Sequence, residues 1–552
     1  MEKSEPFSAF NTKKASWKSR IFSRTGALYA IIFFLVASHL HLSCPVRHAQ
    51  KPKKQNVIFM VTDGMGPASL SLARSFKQYR DHLSIDDILT IDKYLTGSSR
   101  TRSSSSLVTD SAAGATAFSC ALKSYNGAIG VDPHKNACGT ILEALKLDGY
   151  LTGLVVTTRI TDATPAAFSA HADYRFQEDL IAQHQLGEYS LGRVVDLIIG
   201  GGRCHFLPNS EGGCRADSRN LVEDAKKNNW TYVGDRESFD ALDGGNNVQL
   251  PLLGLLANTD IPYDIDRDSA EYPSLAEQVK TALTALSKAT ENSDKGFFLL
   301  IEGSRIDHAG HHNDPAAQVR EVLAYDDAFK EVIDFIDSSD VETVAISTSD
   351  HETGGLVTAR QVSPSYPDYL WYPHVLLNST HSGEHLARKV SETKRSGKFD
   401  ATVFGLYVAK EVIEKDMGIA SYTKEEVEQI CELSDKPDQL LYFLNNMISV
   451  RSQTGWTTHG HSAVDVNIYA HSNSARINSL LYHRAPYTGL LGNHENIEIG
   501  SFMEKLTGVD LLEITKLVQG ANKQDATVAI KEDATVAYKD DVHYHAVEWN
   551  QI

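Results

Sequence analysis

Along the chain, short apolar runs alternate with polar or glycine-rich breaks. Six runs stand out: residues 56–62 (NVIFMVT), 151–158 (LTGLVVTT), 194–199 (VVDLII), 296–301 (GFFLLI), 341–347 (VETVAIS) and 466–470 (VNIYA). Each is too short for a helix, and several are apolar on both faces, as strands covered by helices on either side must be. Helical patterns lie between them, for example at 140–147 and 316–336. The alternation predicts an α/β fold with a large, central, mostly parallel sheet and helices on both faces. In such a sheet ligands gather beyond the carboxyl ends of the strands, so chemistry is sought in the residues that follow each run.

Those residues are strongly biased. After the first run comes Asp63 in a glycine-rich turn, after the fourth Glu302 and then Asp307, His308, His311 and His312, and after the fifth Asp350 and His351. Asp307 and His311 share one face of a helical turn, and a carboxylate oxygen beside an imidazole nitrogen suits Zn²⁺. Asp63 and Glu302 offer oxygen only, as Mg²⁺ prefers. One aspartate at a strand end is ordinarily a cap or a turn residue. Acid and histidine clusters after several strands of one sheet point instead to a metal-dependent site. Asp110-Ser111 opens a run of small residues, AAGATA. An N-capped helix explains the pair, while the small side chains let that helix pack closely and leave room beside the hydroxyl. No Gly-x-Ser-x-Gly elbow occurs, so activation of Ser111 by metal is expected rather than by a histidine-based triad.

Composition narrows the class. With 552 residues, 42% of them hydrophobic and 22% charged, disordered, collagen-like and polytopic membrane chains are excluded. Lys plus Arg number 53 against 71 Asp plus Glu, which leaves no cationic footprint for nucleic acid, and no nucleic-acid binding is expected. Residues 1–25 form a basic head, and 26–42 contain no Asp, Glu, Lys or Arg. Seventeen helical residues span ~26 Å against a hydrocarbon core of ~30 Å, enough for a single pass. The long amphoteric head and the lack of a clean small-x-small site favour an uncleaved signal anchor over a cleaved signal peptide. Residues 43–55 then read as a linker, 56–520 as the catalytic domain with an insertion subdomain at about 356–455, and 521–552 as a polar tail or pro-segment. Asn229 and Asn378 head glycosylation sequons. Cys120/Cys138 and Cys204/Cys214 are close enough in sequence to form disulfides, leaving Cys44 and Cys431; buried free thiols are the alternative.

Six motifs, VTDGMG, VTDSAAGATA, TTRITDATPAAFSAH, LIEGSRIDHAGH, STSDHETGG and THGHSAVD, follow one another between residue 56 and about residue 474. In that order they resemble the alkaline phosphatase family, most of all its fungal vacuolar branch. The resemblance implies Ser111 as nucleophile, with Arg175 holding the phosphoryl oxygens and Asp110 steadying that arginine. It implies two Zn²⁺ per subunit, one on Asp307, His311 and His461 and the other on Asp63, Asp350 and His351, and one Mg²⁺ on Asp63, Thr164 and Glu302. Asp162 and His308 sit where the family varies, its best-known bacterial form resembling Asp with Lys and its animal forms His with His. They are expected behind the ligands or linked to them through water. The resemblance further implies a crown-like insertion, a homodimer, small phosphate monoesters and phosphopeptides as substrates, and an alkaline optimum. With the basic head it implies a type II protein of the vacuole membrane whose catalytic domain is lumenal, the alternative being a secreted or cell-surface form. A phosphodiesterase or sulfatase on a similar sheet is the nearest rival, and the Asp-Ser pair with Arg175 favours monoesters over both.

Overall fold

A computed structural model describes residues 54–525. The basic head, the anchor at 26–42, nearly all of the linker, Cys44 and the tail beyond 525 lie outside the described residues. No helix among the described residues is long and apolar enough to cross a membrane.

Among the described residues twelve strands occur in chain order: β1 Gln55–Val61, β2 Leu95–Arg100, β3 Leu151–Arg159, β4 Leu197–Gly201, β5 Thr231–Val233, β6 Leu252–Leu255, β7 Phe297–Glu302, β8 Glu342–Thr348, β9 Glu352–Thr353, β10 His461–Ser462, β11 Val466–Ser472 and β12 Gly492–Glu495. Ten of them make one sheet in the order β12-β2-β11-β8-β1-β7-β3-β4-β6-β5, and β9 pairs with β10 in a separate ribbon. Every pairing in the large sheet is parallel except the two made by β11, which runs against β2 and β8. All six apolar runs enter strands, although β4 takes up only the second half of the third run, from Leu197. They were visible because both faces are covered: Ile58 and Met60 of β1 enter one apolar cluster, and Val57, Phe59 and Val61 enter the other. The helices Leu275–Ala289 and Pro315–Ser338 pack on the first face, and Ile141–Leu147 and Asn496–Thr507 on the second.

The stretch between β9 and β10 is helical, with Gly383–Arg395, Lys424–Leu433 and Pro437–Ser452 as its main elements. Its buried residues, among them Leu386, Val390, Leu440 and Leu444, belong to the same apolar cluster as β1 and β7. The insertion is therefore a further helical layer laid over the helices Pro67–Arg80 and Pro315–Ser338 and not a body with a core of its own. Cys120 bonds to Cys138 and Cys204 to Cys214, while Cys431 is free.

Candidate functional site

Strand order assembles the site. Four adjacent parallel strands, β8, β1, β7 and β3, end level with one another, since Val61 pairs with both Glu302 and Thr348, and Val156 pairs with Glu302. Asp63, Glu302, Asp350 and His351, and the turn carrying Asp162 and Thr164, thus emerge at one edge. Because β11 is antiparallel to β8 it begins where its neighbours end, and this brings His461, just ahead of it, to the same place. His461 also pairs with Thr353 in the β9–β10 ribbon. β2 runs against β11, so its carboxyl end lies at this edge too and leads through residues 101–110 to Ser111.

Ser111 is the first residue of the buried helix Ser111–Cys120. Asp110 caps that helix, one oxygen accepting from Ala113 N (3.0 Å) and the other from Gly127 N (2.9 Å) and Arg175 Nη1 (3.3 Å). The small residues have the expected use: a Cβ on Gly114 would stand 3.0 Å from Asp350 Cβ, so the helix lies directly against that carboxylate. Ser111 Oγ stands 3.2 Å from His351 Nε2. A second close approach occurs at Gly64, whose φ of +77° favours glycine and where a Cβ would come 2.5 Å from Asp307 Cα.

All three expected imidazole ligands are turned the same way. His461 Nδ1 lies 2.7 Å from the Thr109 carbonyl, and His311 Nδ1 lies against the His459 carbonyl. A carbonyl can only accept, so both Nδ1 atoms donate. His351 Nδ1 meets Thr353 Oγ1 at 3.1 Å. That hydroxyl spends its own proton on Asp307 Oδ1, so it accepts from His351. Each Nε2 is left bare and faces inward, those of His311 and His461 only 3.2 Å apart. Two neutral rings so placed would repel one another; burial lowers His311 but the Asp307 charge raises it to about 9, so either a proton on His311 or a metal cation relieves the repulsion, and orienting bonds on the far nitrogen are what metal-bound histidines use.

The carboxylates carry the same message. Asp63, Glu302, Asp307 and Asp350 are all buried. Burial, then the charges of Asp350, Asp307 and Glu302, pushes Asp63 well above the usual carboxylate range. Burial takes Glu302 up to about 8 and Asp350 up to about 7. Asp63 Oδ1, Asp350 Oδ2 and Thr164 Oγ1 are buried without a hydrogen-bond partner of normal geometry. Crowded carboxylates, orphaned oxygens and converging bare nitrogens fit divalent cations. One nitrogen or oxygen from each of Asp63, Asp350 and His351 lies within 4.8 Å of the others, and the same holds for Asp307, His351 and His461. His311 joins the second group through Asp307 Oδ2 at 3.2 Å.

Arg175 is held between two carboxylates, Asp110 on Nη1 and Asp162 on Nη2 (3.0 Å). Asp162 also caps the helix Ala163–Ser169 and pairs with Arg159 Nη2 at 3.0 Å. Burial opposes its charge, yet Arg159 and Arg175 hold it well below the usual range. His308 faces Arg305 Nε at 3.3 Å and Asp260 Oδ2 at 3.8 Å. Asp260 and Glu178 in turn bind Arg159. Sequence reading missed Arg159, Glu178, Asp260 and Thr353. Arg159 and Thr353 carried a usable signal, since each lies in a motif already noted; Glu178 and Asp260 are joined to the site by tertiary contact alone. Asn229 and Asn378 are both exposed.

Comparison with known proteins agrees with this geometry. Residues 54–509 match the family described as alkaline phosphatase. The repressible alkaline phosphatase of Saccharomyces cerevisiae is 58% identical, over 92% of this chain and 90% of that protein. An alkaline phosphatase of Schizosaccharomyces pombe is 46% identical over 92% and 91%. Among solved structures, a cold-active alkaline phosphatase from Shewanella sp. superposes with a TM-score of 0.67 at 31% identity, covering 82% of this chain and 99% of the other. A mutant alkaline phosphatase from the Antarctic bacterium TAB5, solved with Mg bound in its M3 site, gives 0.54 at 25% identity over 84% and 100%.

Proposed function

The chain belongs to the alkaline phosphatase family of metal-dependent phosphatases, and from that premise we propose that it hydrolyses phosphate monoesters to alcohol and inorganic phosphate through a covalent phosphoserine on Ser111. The observation that carries the proposal is the position of Ser111 Oγ, at the first turn of a buried helix, 3.2 Å from His351 Nε2 and beside an arginine clamped by Asp110 and Asp162. Ser111 Oγ attacks phosphorus as the ester oxygen departs and is protonated. Water then attacks the phosphoserine, phosphate leaves and the hydroxyl is restored. Arg175 meets the phosphoryl oxygens with a planar fork whose orientation the two carboxylates fix. Asp307, His311 and His461 would hold one zinc, Asp63, Asp350 and His351 the other, and Asp63, Thr164 and Glu302 the magnesium. Bound there, the ions supply positive charge that lowers the serine pKa and offsets the charge of the ester. Both attacking oxygens react deprotonated, so the rate rises above neutral pH.

The open, charge-dominated chemistry suits small monoesters and phosphopeptides in a broad range. The two disulfides, the exposed sequon asparagines and the apolar stretch 26–42 support a glycosylated type II protein facing an oxidising lumen, with the vacuole membrane our assignment and a homodimer our assembly. Trapping tests the mechanism. Brief incubation with labelled phosphate ester followed by acid quench leaves label on wild type, and Ser111→Ala loses it while keeping its metal; label on another residue refutes the assignment.

A further inference from the structure

The zinc group proposed on Asp307, His311 and His461 is unevenly held. Only 8% of the Asp307 side chain and 11% of that of His461 are exposed, against 36% for His311. Packing fixes two of the three, and something other than burial must fix the third.

His311 is also the last residue of the helix Arg305–His311. An α-helix leaves its final carbonyls without N–H partners, and Pro315, four residues beyond His311, has no N–H to offer. Side chains from elsewhere take over. His459 Nδ1 lies 2.9 Å from the His311 carbonyl, which can only accept, so the imidazole donates. Asn445 Nδ2 donates to His312 O at 2.9 Å, and Ser449 Oγ to Asn313 O at 3.4 Å. Both stand on the inserted helix Pro437–Ser452. The same helix presents Tyr442, whose ring centroid lies 4.1 Å from that of His459. In the other direction His311 Nδ1 donates to the His459 carbonyl, and Asn313 Nδ2 to that of Thr458 at 2.9 Å. His311 and His459 thus exchange imidazole-to-carbonyl bonds, each ring closing on the other's backbone.

We propose that His459 is a positioning residue for His311, the clasp through which the inserted helix orients the one exposed ligand of this zinc group. The proposal rests on the reading of Asp307, His311 and His461 as zinc ligands. A carbonyl orients the imidazole that donates to it only if the carbonyl itself is fixed. Backbone bonds to Gly354 hold the loop at Thr457, Thr458 and Gly460, and the His459 imidazole adds the tie that reaches the ligand helix. With its Nδ1 bonded and one face against Tyr442, that imidazole has little freedom of its own. The closed pair leaves His311 Nε2 directed at Asp307 Oδ2, 3.2 Å away. A ligand already aimed loses less conformational freedom when the ion arrives, which is how partners behind a ligand raise metal affinity.

The test uses the full chain and its His459→Phe and His459→Asn variants, stripped of metal and reloaded with zinc against a competing chelator. Melting temperatures of the metal-free proteins are measured alongside. Phenylalanine keeps a ring on Tyr442 and loses the donor; asparagine keeps a donor near the place of Nδ1 and loses the ring. One zinc should be held about tenfold less tightly by His459→Phe than by wild type, and His459→Asn should recover most of that loss. Wild-type affinity in His459→Phe overturns the proposal. An equal loss in both variants that follows their metal-free melting temperatures overturns it too, since that is what a mere loop staple would give. Should the phenylalanine variant not fold, His459→Met, which fills the space without a donor, replaces it under the same outcomes. Failure of the underlying zinc reading shows separately: His311→Ala would then bind as much zinc as wild type, whereas with the group correctly read it loses a zinc whatever His459 does.

Discussion

Each functional side chain works through a partner that fixes its geometry. Arg175 owes its orientation to two carboxylates, one capping the Ser111 helix and one capping the helix Ala163–Ser169. Lysine keeps the charge and loses the fork, so Arg175→Lys should lower kcat/KM by about 10²-fold at unchanged metal content, read by steady-state kinetics and metal analysis. Thr353 is more consequential than its size suggests, because one hydroxyl joins Asp307 to His351 and thereby links both groups of proposed zinc ligands. Removing it in Thr353→Val should weaken zinc binding roughly 10–100-fold in a chelator competition, and wild-type affinity would discard this positioning role.

Elements differ in how they reached the page from the sequence. The six strands covered on both faces announced themselves as apolar runs, and the helix Ile141–Leu147 falls where the pattern at 140–147 does. β2, with sequence LTGSSR, carries no such run. It sits one strand from the sheet edge and is placed by its neighbours β11 and β12. β5 and β6 are too short to register, and β12 is largely exposed. The ligand residues were legible because they occur in compact motifs at strand ends. Their supports were not, since Asp260 meets Arg159 only once the sheet exists. One element contact makes a pH prediction. His171, following the helix Ala163–Ser169, packs its Nε2 2.8 Å from Glu143 on the helix Ile141–Leu147. Burial alone would lower the histidine, but Glu143 raises it above 6.5, and despite burial His171 holds Glu143 below 4.5. The histidine contribution is complete below 6.5 and is lost as pH rises through its folded value; the glutamate contribution is complete above 4.5 and is lost as pH falls through its own. Both act between those limits. The gap in urea midpoint between wild type and His171→Gln should accordingly be widest between about pH 4.5 and 6.5 and shrink as pH rises through the folded value of His171.

For the molecule as a whole, the cations and the fold are one thermodynamic system. Ligand at ~10³ times its dissociation constant contributes ~4 kcal/mol per site, so chelation should abolish turnover and lower Tm together, with zinc plus magnesium restoring both. Full recovery on zinc alone would remove the role given to magnesium. Finally, β11 is wedged between β2 and β8 and runs opposite to both, and it arrives after hundreds of residues have already left the ribosome. Until it docks, the sheet has a gap between those two strands and His461 has nowhere to go. A nascent chain cut short before this strand would hold the proposed nucleophile and most of the proposed ligands yet be unable to close its centre. Competence is thus withheld until this strand has been made, and a product terminated ahead of it is born inert.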